Sequence, residues 1–128
     1  MIKCNYLLLS EWINLDQITW LASVYNILEK FSSPEFPFVV NKVAMLAFFE
    51  RKPNDPYTYD IERKLFNNES LIKDEKISVD FKDKFKHKRV NIFQWIEIKE
   101  EWELRLSIYH ESKEINRYTI EVEKVLKQ

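Results

Sequence analysis

The chain has 128 residues, 45% of them hydrophobic and 32% charged, with a formal net charge of -1. That size suits a single domain over residues 1–128 that buries a core without a metal or disulfide, and the small net charge excludes a global field for drawing in nucleic acid or an anionic membrane. Glycine is absent and cysteine occurs once, which excludes glycine-built phosphate loops, dinucleotide fingerprints, nucleophile elbows, an intrachain disulfide and a thiolate metal cage.

Ile2 to Trp12 reads as a first strand, with Leu7 and Leu9 on one face and Tyr6 and Leu8 on the other. Asn14-Leu15-Asp16 supplies a turn. Residues 17–31 are apolar at both helical and strand spacing. Ile18, Thr19, Trp20, Val24, Tyr25 and Ile27 are good strand formers, so a strand is preferred. The alternative keeps one helix near residues 11–31, packed on an antiparallel sheet in an α+β fold.

Pro34 and Pro37 mark a connection. Val43, Met45, Ala47 and Phe49 then alternate with Ala44, Leu46 and Phe48, as in a central strand buried on both sides. This longest apolar run, Val43 to Phe49, is far shorter than the ~20 residues of a spanning helix. Pro53 and Pro56 mark the next link. Tyr57, Tyr59, Ile61 and Leu65 share one face of a further strand, as do Ile77, Val79 and Phe81 of another, with Asn67-Asn68-Glu69-Ser70 as a turn between them. Residues 82–89 read as a basic link. Strict alternation next places Ile92, Ile96 and Ile98 opposite Phe93 and Trp95. The chain closes with a hairpin: Trp102, Leu104, Leu106 and Ile108 on one face of its first strand, Tyr118, Ile120 and Val122 on one face of its second. These elements predict an all-β fold, an antiparallel β-sandwich of about eight strands.

The segments LLLSEWINLDQITWLASVYNIL, SSPEFPFVVNKVAMLAFFE and EWELRLSIYHESKEINRYTIEVEKV together resemble a family of small bacterial and mobile-element proteins of unknown function. The resemblance rests on Glu11, Trp20 to Leu28, Phe36-Pro37, Val43 to Phe49, and Trp102 to Val122, with Ala22 where such proteins often carry glycine. It implies a β-sandwich and strand for residues 17–31. It supplies no catalytic residue. A phage or mobile-element protein that blocks a host system fits this description, and so does a host component of one.

The chemistry-bearing residues are few. Cys4, His87 and His110 have no sequence spacing that builds a metal site or nucleophile, and the carboxylates are spread over several links. No cofactor, metal or catalytic residue is expected. Lys82, Lys84, Lys86, Lys88 and Arg89 surround His87 and Phe85, a pattern suited to phosphate groups with Phe85 as a stacking face. A solvated loop that blocks edge pairing is the alternative. Phe93, Trp95 and Tyr109 are the candidate interface aromatics, since a sheet face left uncovered by its own chain is adhesive. The reading is therefore a non-enzymatic, cytoplasmic module that docks on a partner protein or on itself as a homodimer. A nucleotide or single-stranded nucleic acid is the alternative ligand, and no membrane partner is expected.

Overall fold

The computed structural model describes residues 1–126. The fold is all-β. Among the described residues its nine strands are β1 (Lys3–Leu15), β2 (Ala22–Ile27), β3 (Lys30–Ser33), β4 (Phe38–Glu50), β5 (Thr58–Asn67), β6 (Ser70–Asp80), β7 (Lys86–Ile98), β8 (Trp102–His110) and β9 (Lys113–Lys124). One sheet has the order β2-β1-β4-β7 and the other β3-β9-β8-β5-β6. All pairings are antiparallel except that of β3 with β9, which is parallel. No helix of the described residues is long and apolar enough to cross a membrane.

Segment 17–31 is neither one strand nor a helix. It contains a turn, β2, a crossing and β3, which brings the strands to nine. Leu28 and Glu29 cross from one sheet to the other. Leu28 N–H donates to the Leu9 carbonyl at 2.9 Å, and Glu121 N–H donates to the Glu29 carbonyl at 3.0 Å. Tyr118 Oη donates to the Leu28 carbonyl at 2.5 Å, tying the crossing to β9.

The core lies between the sheets. Leu7, Leu9, Val43, Met45, Ala47 and Phe49 face Ile61, Leu65, Leu104, Leu106, Ile108 and Ile120. Each of these side chains larger than Ala47 contributes roughly 1.5–3 kcal/mol on burial. The alternation expected for β4, β6 and β9 and for Leu104, Leu106 and Ile108 of β8 is observed. That of β7 is not. Phe93, Ile96 and Ile98 are all buried, whereas Gln94 and Trp95 are consecutive exposed residues. Trp95 has φ 54. A residue outside the β region resets the two-residue period, so inward positions change from odd to even numbers. Asn41 and Lys42 of β4 show the matching shift, with Val40 and Val43 on the core side. Trp102 also departs from the expected face: its φ of 115 turns it outward, and it is 73% exposed.

Two asparagines lock the connection between β7 and β8. Asn67 is buried. Its Oδ1 accepts from Lys99 N–H at 2.9 Å and Glu100 N–H at 3.0 Å. Its Nδ2 donates to the Glu100 and Glu103 carbonyls at 3.0 and 3.1 Å. Asn68 adopts φ 55 at the hairpin turn and bonds Glu103 N–H and the Glu101 carbonyl. Asn67→Ala removes the partner of Lys99 N–H, Glu100 N–H and the Glu100 carbonyl and is expected to cost about 2–3 kcal/mol in urea unfolding. An unchanged midpoint contradicts that role. Glu111 and Ser112, with φ 50 and 64, form the two-residue β8–β9 turn that Asn-Gly usually occupies. Ser112→Gly should raise stability by ~0.5–1 kcal/mol, read in the same experiment.

Candidate functional site

The most conspicuous surface is the hairpin of β1 and β2. β1 pairs with β4 through Ser10↔Ala44, then with β2 through Ser10↔Ile27 to Leu15↔Ala22. Were β1 straight, Ile13 would continue past Ala44 toward Asn41. Instead Ile13 clusters with Ala44 and Leu46, joined by Leu8, Ala22, Val24, Phe48 and Val90. Lys88 Nζ of β7 donates to the Trp20 carbonyl at 2.6 Å. The hairpin therefore bends back over the outer face of its own sheet. It buries Ile13 and half-buries Val24 there, and turns the opposite face to solvent.

The tip is built by Asp16. Its Oδ1 accepts from Ile18 N–H at 2.8 Å and Thr19 N–H at 3.0 Å. These two backbone bonds hold the carboxyl below its ordinary range. Trp20 N–H donates to the Asp16 carbonyl at 2.8 Å, and Trp20 sits at φ 61. On the solvent face, Trp12 lies in register with Tyr25, and the Lys42 ammonium stands 4.1 Å from the Trp12 ring centroid. Ile18 is 90% exposed, Leu21 67% and Trp20 64%. Trp12, Tyr25 and Ile27 are also exposed. Sequence reading missed this surface because it treated 17–31 as a single buried strand. The signal that marks it is turn chemistry, with Asp16 two and three residues before the amides it caps.

The residues expected to form one aromatic interface do not come together. Phe93 is a core residue, 1% exposed, with the Arg63 guanidinium 4.1 Å from its ring centroid. It cannot present a surface, and the expectation that it shares a face with Trp95 is corrected. Trp95 is exposed on the outer side of β7. Tyr109 lies on the other sheet, half-buried, with the Lys64 ammonium 5.3 Å from its ring centroid. Sequence reading also missed Arg63, which points inward between Ile61 and Leu65. Its Nη2 meets Glu75 Oε2 at 2.5 Å, while Nε and Nη1 have no hydrogen-bond partner among the described residues.

The basic stretch is not one loop. Residues 81–85 form the link, and Lys86 to Arg89 belong to β7. Lys82, Lys84 and Lys86 are exposed. Lys88 is held by Trp20 and lies over the Phe48 ring at 5.2 Å. Arg89 donates to Asn91 Oδ1 at 2.8 Å and to the Ser78 carbonyl at 3.2 Å. Phe85, half exposed, stacks on Arg51 at 4.9 Å.

The two histidines meet at one end of the sandwich through a chain of rings. His87 is edge-on to Phe81 at 6.0 Å, Phe81 to Tyr59 at 5.9 Å, and Tyr59 to His110 at 5.3 Å. The Tyr59 hydroxyl and His87 Nε2 are buried with no partner among the described residues. This is aromatic packing, with no hydrogen bond aligning a base with a nucleophile. Cys4 is buried, and that burial pushes its thiol up to about 11, so at neutral pH it is protonated. No group of three or more His, Cys, Asp or Glu among the described residues is arranged to hold a metal ion.

No family model matches the chain, and no curated protein matches it. Among solved structures it is similar to a beta-glucosidase from Listeria innocua, with a TM-score of 0.51 and 9% sequence identity. The match covers 99% of this chain and 16% of that one, so the chain spans a small part of that protein's length. At that identity the likeness concerns the fold alone.

Burial, and next the Arg89 charge, lower the His87 pKa from its ordinary value of 6.5. The fold thus favours the neutral ring. That contribution is complete above the unfolded value near 6.5 and is lost as pH falls toward the depressed folded value. Urea unfolding at pH 7 and pH 5 should show His87→Phe losing less stability over this interval than the parent chain. Parallel losses in the two proteins would contradict the assignment.

Proposed function

We propose that this protein is a non-catalytic docking module that binds another protein, or a second copy of itself, through the solvent face and tip of the β1–β2 hairpin. The observation that carries the reading is the gathering of Trp12, Ile18, Trp20, Leu21, Tyr25 and Ile27, all exposed, on one short hairpin. Isolated exposed apolar side chains are ordinary, but a contiguous group rich in Trp and Tyr is typical of interface anchors. The positive φ at Trp20 adds to this, because a bulky residue held there costs free energy that the isolated chain does not recover by burying it. The raised thiol of Cys4 and the packed histidines speak against the nucleophile chemistry open to this chain. A cytoplasmic setting belongs to the same reading, since a lone buried cysteine needs no oxidising compartment. A phage, mobile-element or host-defence context rests on the sequence resemblance.

Sedimentation equilibrium and pull-down from host lysate, run with the parent chain and an Ile18→Glu/Trp20→Glu variant, test the proposal. Loss of a central aromatic anchor typically costs at least ~2 kcal/mol, or about 30-fold in affinity. The variant should lose self-association or partner capture by that factor, with its unfolding midpoint little changed. Trp95→Glu serves as a control elsewhere on the sheet. A parent chain that stays monomeric, together with an unchanged set of captured proteins in the variant, contradicts the reading.

A further inference from the structure

A cavity of about 450 Å³ lies where the start of β1, the end of β4 and the 81–85 link meet. Its walls include Lys3, Arg51, Lys52, Pro53, Phe85 and Lys86. Arg51 is the anchor. It is 4% exposed, yet no described carboxylate pairs with its guanidinium; the nearby Asp55 carboxylate is taken by the N-terminal amine and by Lys52 N–H. Four carbonyls hold it instead. Nε donates to Lys84 at 2.7 Å, and Nη1 is shared among Lys52 at 3.2 Å, Pro53 at 3.5 Å and Asp55 at 3.4 Å. Tyr57 and Phe85 stack on it, with ring centroids at 4.5 and 4.9 Å. Nη2 makes no hydrogen bond to any described residue.

A buried cation without a counter-ion is costly, and backbone carbonyls compensate only part of that cost. Here the cation is also fixed in orientation, with one amino group left over, and three lysines surround it. Glu50 is the single acidic wall residue. It stands in register with Lys3 and with Lys86 and accepts from Asn5 Nδ2 at 3.2 Å. Discounting Glu50, the wall retains an excess of three positive charges from Lys3, Arg51, Lys52 and Lys86. The exposed Lys82 and Lys84 add to the field from the adjoining link.

We propose that this cavity is an anion site for a compact phosphate-bearing ligand, with the Arg51 guanidinium as its preorganised floor and Lys3, Lys52 and Lys86 as its rim. Phosphate oxygens are the acceptors that such a fork and its ammonium neighbours match best. The half-exposed ring of Phe85 gives one apolar wall, against which the base of a nucleotide can lie. The site is a local, half-open hollow, so it suits a small phosphate compound rather than a long strand, which needs a basic track along the surface. It shares no wall residue with the hairpin tip and stands or falls independently of the docking reading.

The test is calorimetric titration at low, matched ionic strength with inorganic pyrophosphate, AMP and adenosine as probes. It is run on the parent chain and on a Lys3→Gln/Lys86→Gln variant, which leaves the Arg51 loop staple intact. The parent should bind pyrophosphate or AMP saturably and adenosine not at all. The variant should bind at least about tenfold more weakly while melting at the parent's temperature. Tighter binding of AMP assigns the site to nucleotides, and tighter binding of pyrophosphate assigns it to phosphates without a base. Absence of saturable binding by both phosphate probes, equal binding of adenosine, or affinity unchanged in the variant overturns the proposal.

Discussion

A chain without glycine has to place side-chain-bearing residues in the left-handed region wherever its backbone turns sharply. Nine of the described residues have positive φ, and three of them are tryptophans: Trp20, Trp95 and Trp102. Each such residue costs roughly 1–2 kcal/mol relative to ordinary backbone, so surrounding contacts must over-determine it. Asp16 and Lys88 hold Trp20, and the Asn67–Asn68 pair holds the connection that ends in Trp102. Trp95 sits in the long β4–β7 ladder, which runs from Phe38↔Ile98 to Glu50↔Lys86. The result at all three places is an indole aimed at water.

This constraint shapes the architecture as well as the surface. The left-handed turn at Trp95 changes the phase of β7, and β4 follows it through the exposed pair Asn41 and Lys42. Lys42 is thereby released to the outer face, where it meets Trp12. The bend of β1 after Ser10 lays the hairpin over that same face. The hairpin is thus two-sided: Ile13 and Val24 anchor it to Ala44 and Leu46, while Trp12 and Tyr25 look outward. The anchoring cluster has three buried residues, against the much larger cluster between the sheets. A small anchor under a large exposed aromatic face is the geometry of an element that gains stability when something covers it.

Much of the fold was legible in the sequence because period-two alternation survives wherever one face packs on the core. Val43 to Phe49, Ile77 to Phe81 and the closing hairpin are examples. Alternation failed where a left-handed residue reset it, and nothing in the residue type of Trp95 or Trp102 announces that conformation. It failed again at 17–31, where a turn, an edge strand and a sheet crossing each carry apolar residues and no period separates them. The candidate surface was hidden for the same reason: an exposed Trp20 and a buried one look alike without a polar partner set to mark the face. The Lys82 to Arg89 run was visible as charge, but its division between link and strand follows from the pairing of Lys86 with Glu50. Arg51, isolated in sequence from that run, becomes its neighbour only through the fold.

The central claim is that Trp12 and Trp20 of the β1–β2 hairpin face solvent in the isolated chain and form the adhesive surface. Quenching of native tryptophan fluorescence by acrylamide, followed from dilute to concentrated protein, tests it most directly. With indoles 43%, 64%, 68% and 73% exposed, the dilute native chain should emit at long wavelength and be readily quenched by acrylamide. Protection should appear as concentration rises or a captured partner is added. Blue-shifted, poorly quenched emission from the dilute native chain would contradict both the folded-back hairpin with its outward aromatic face and the docking role derived from it.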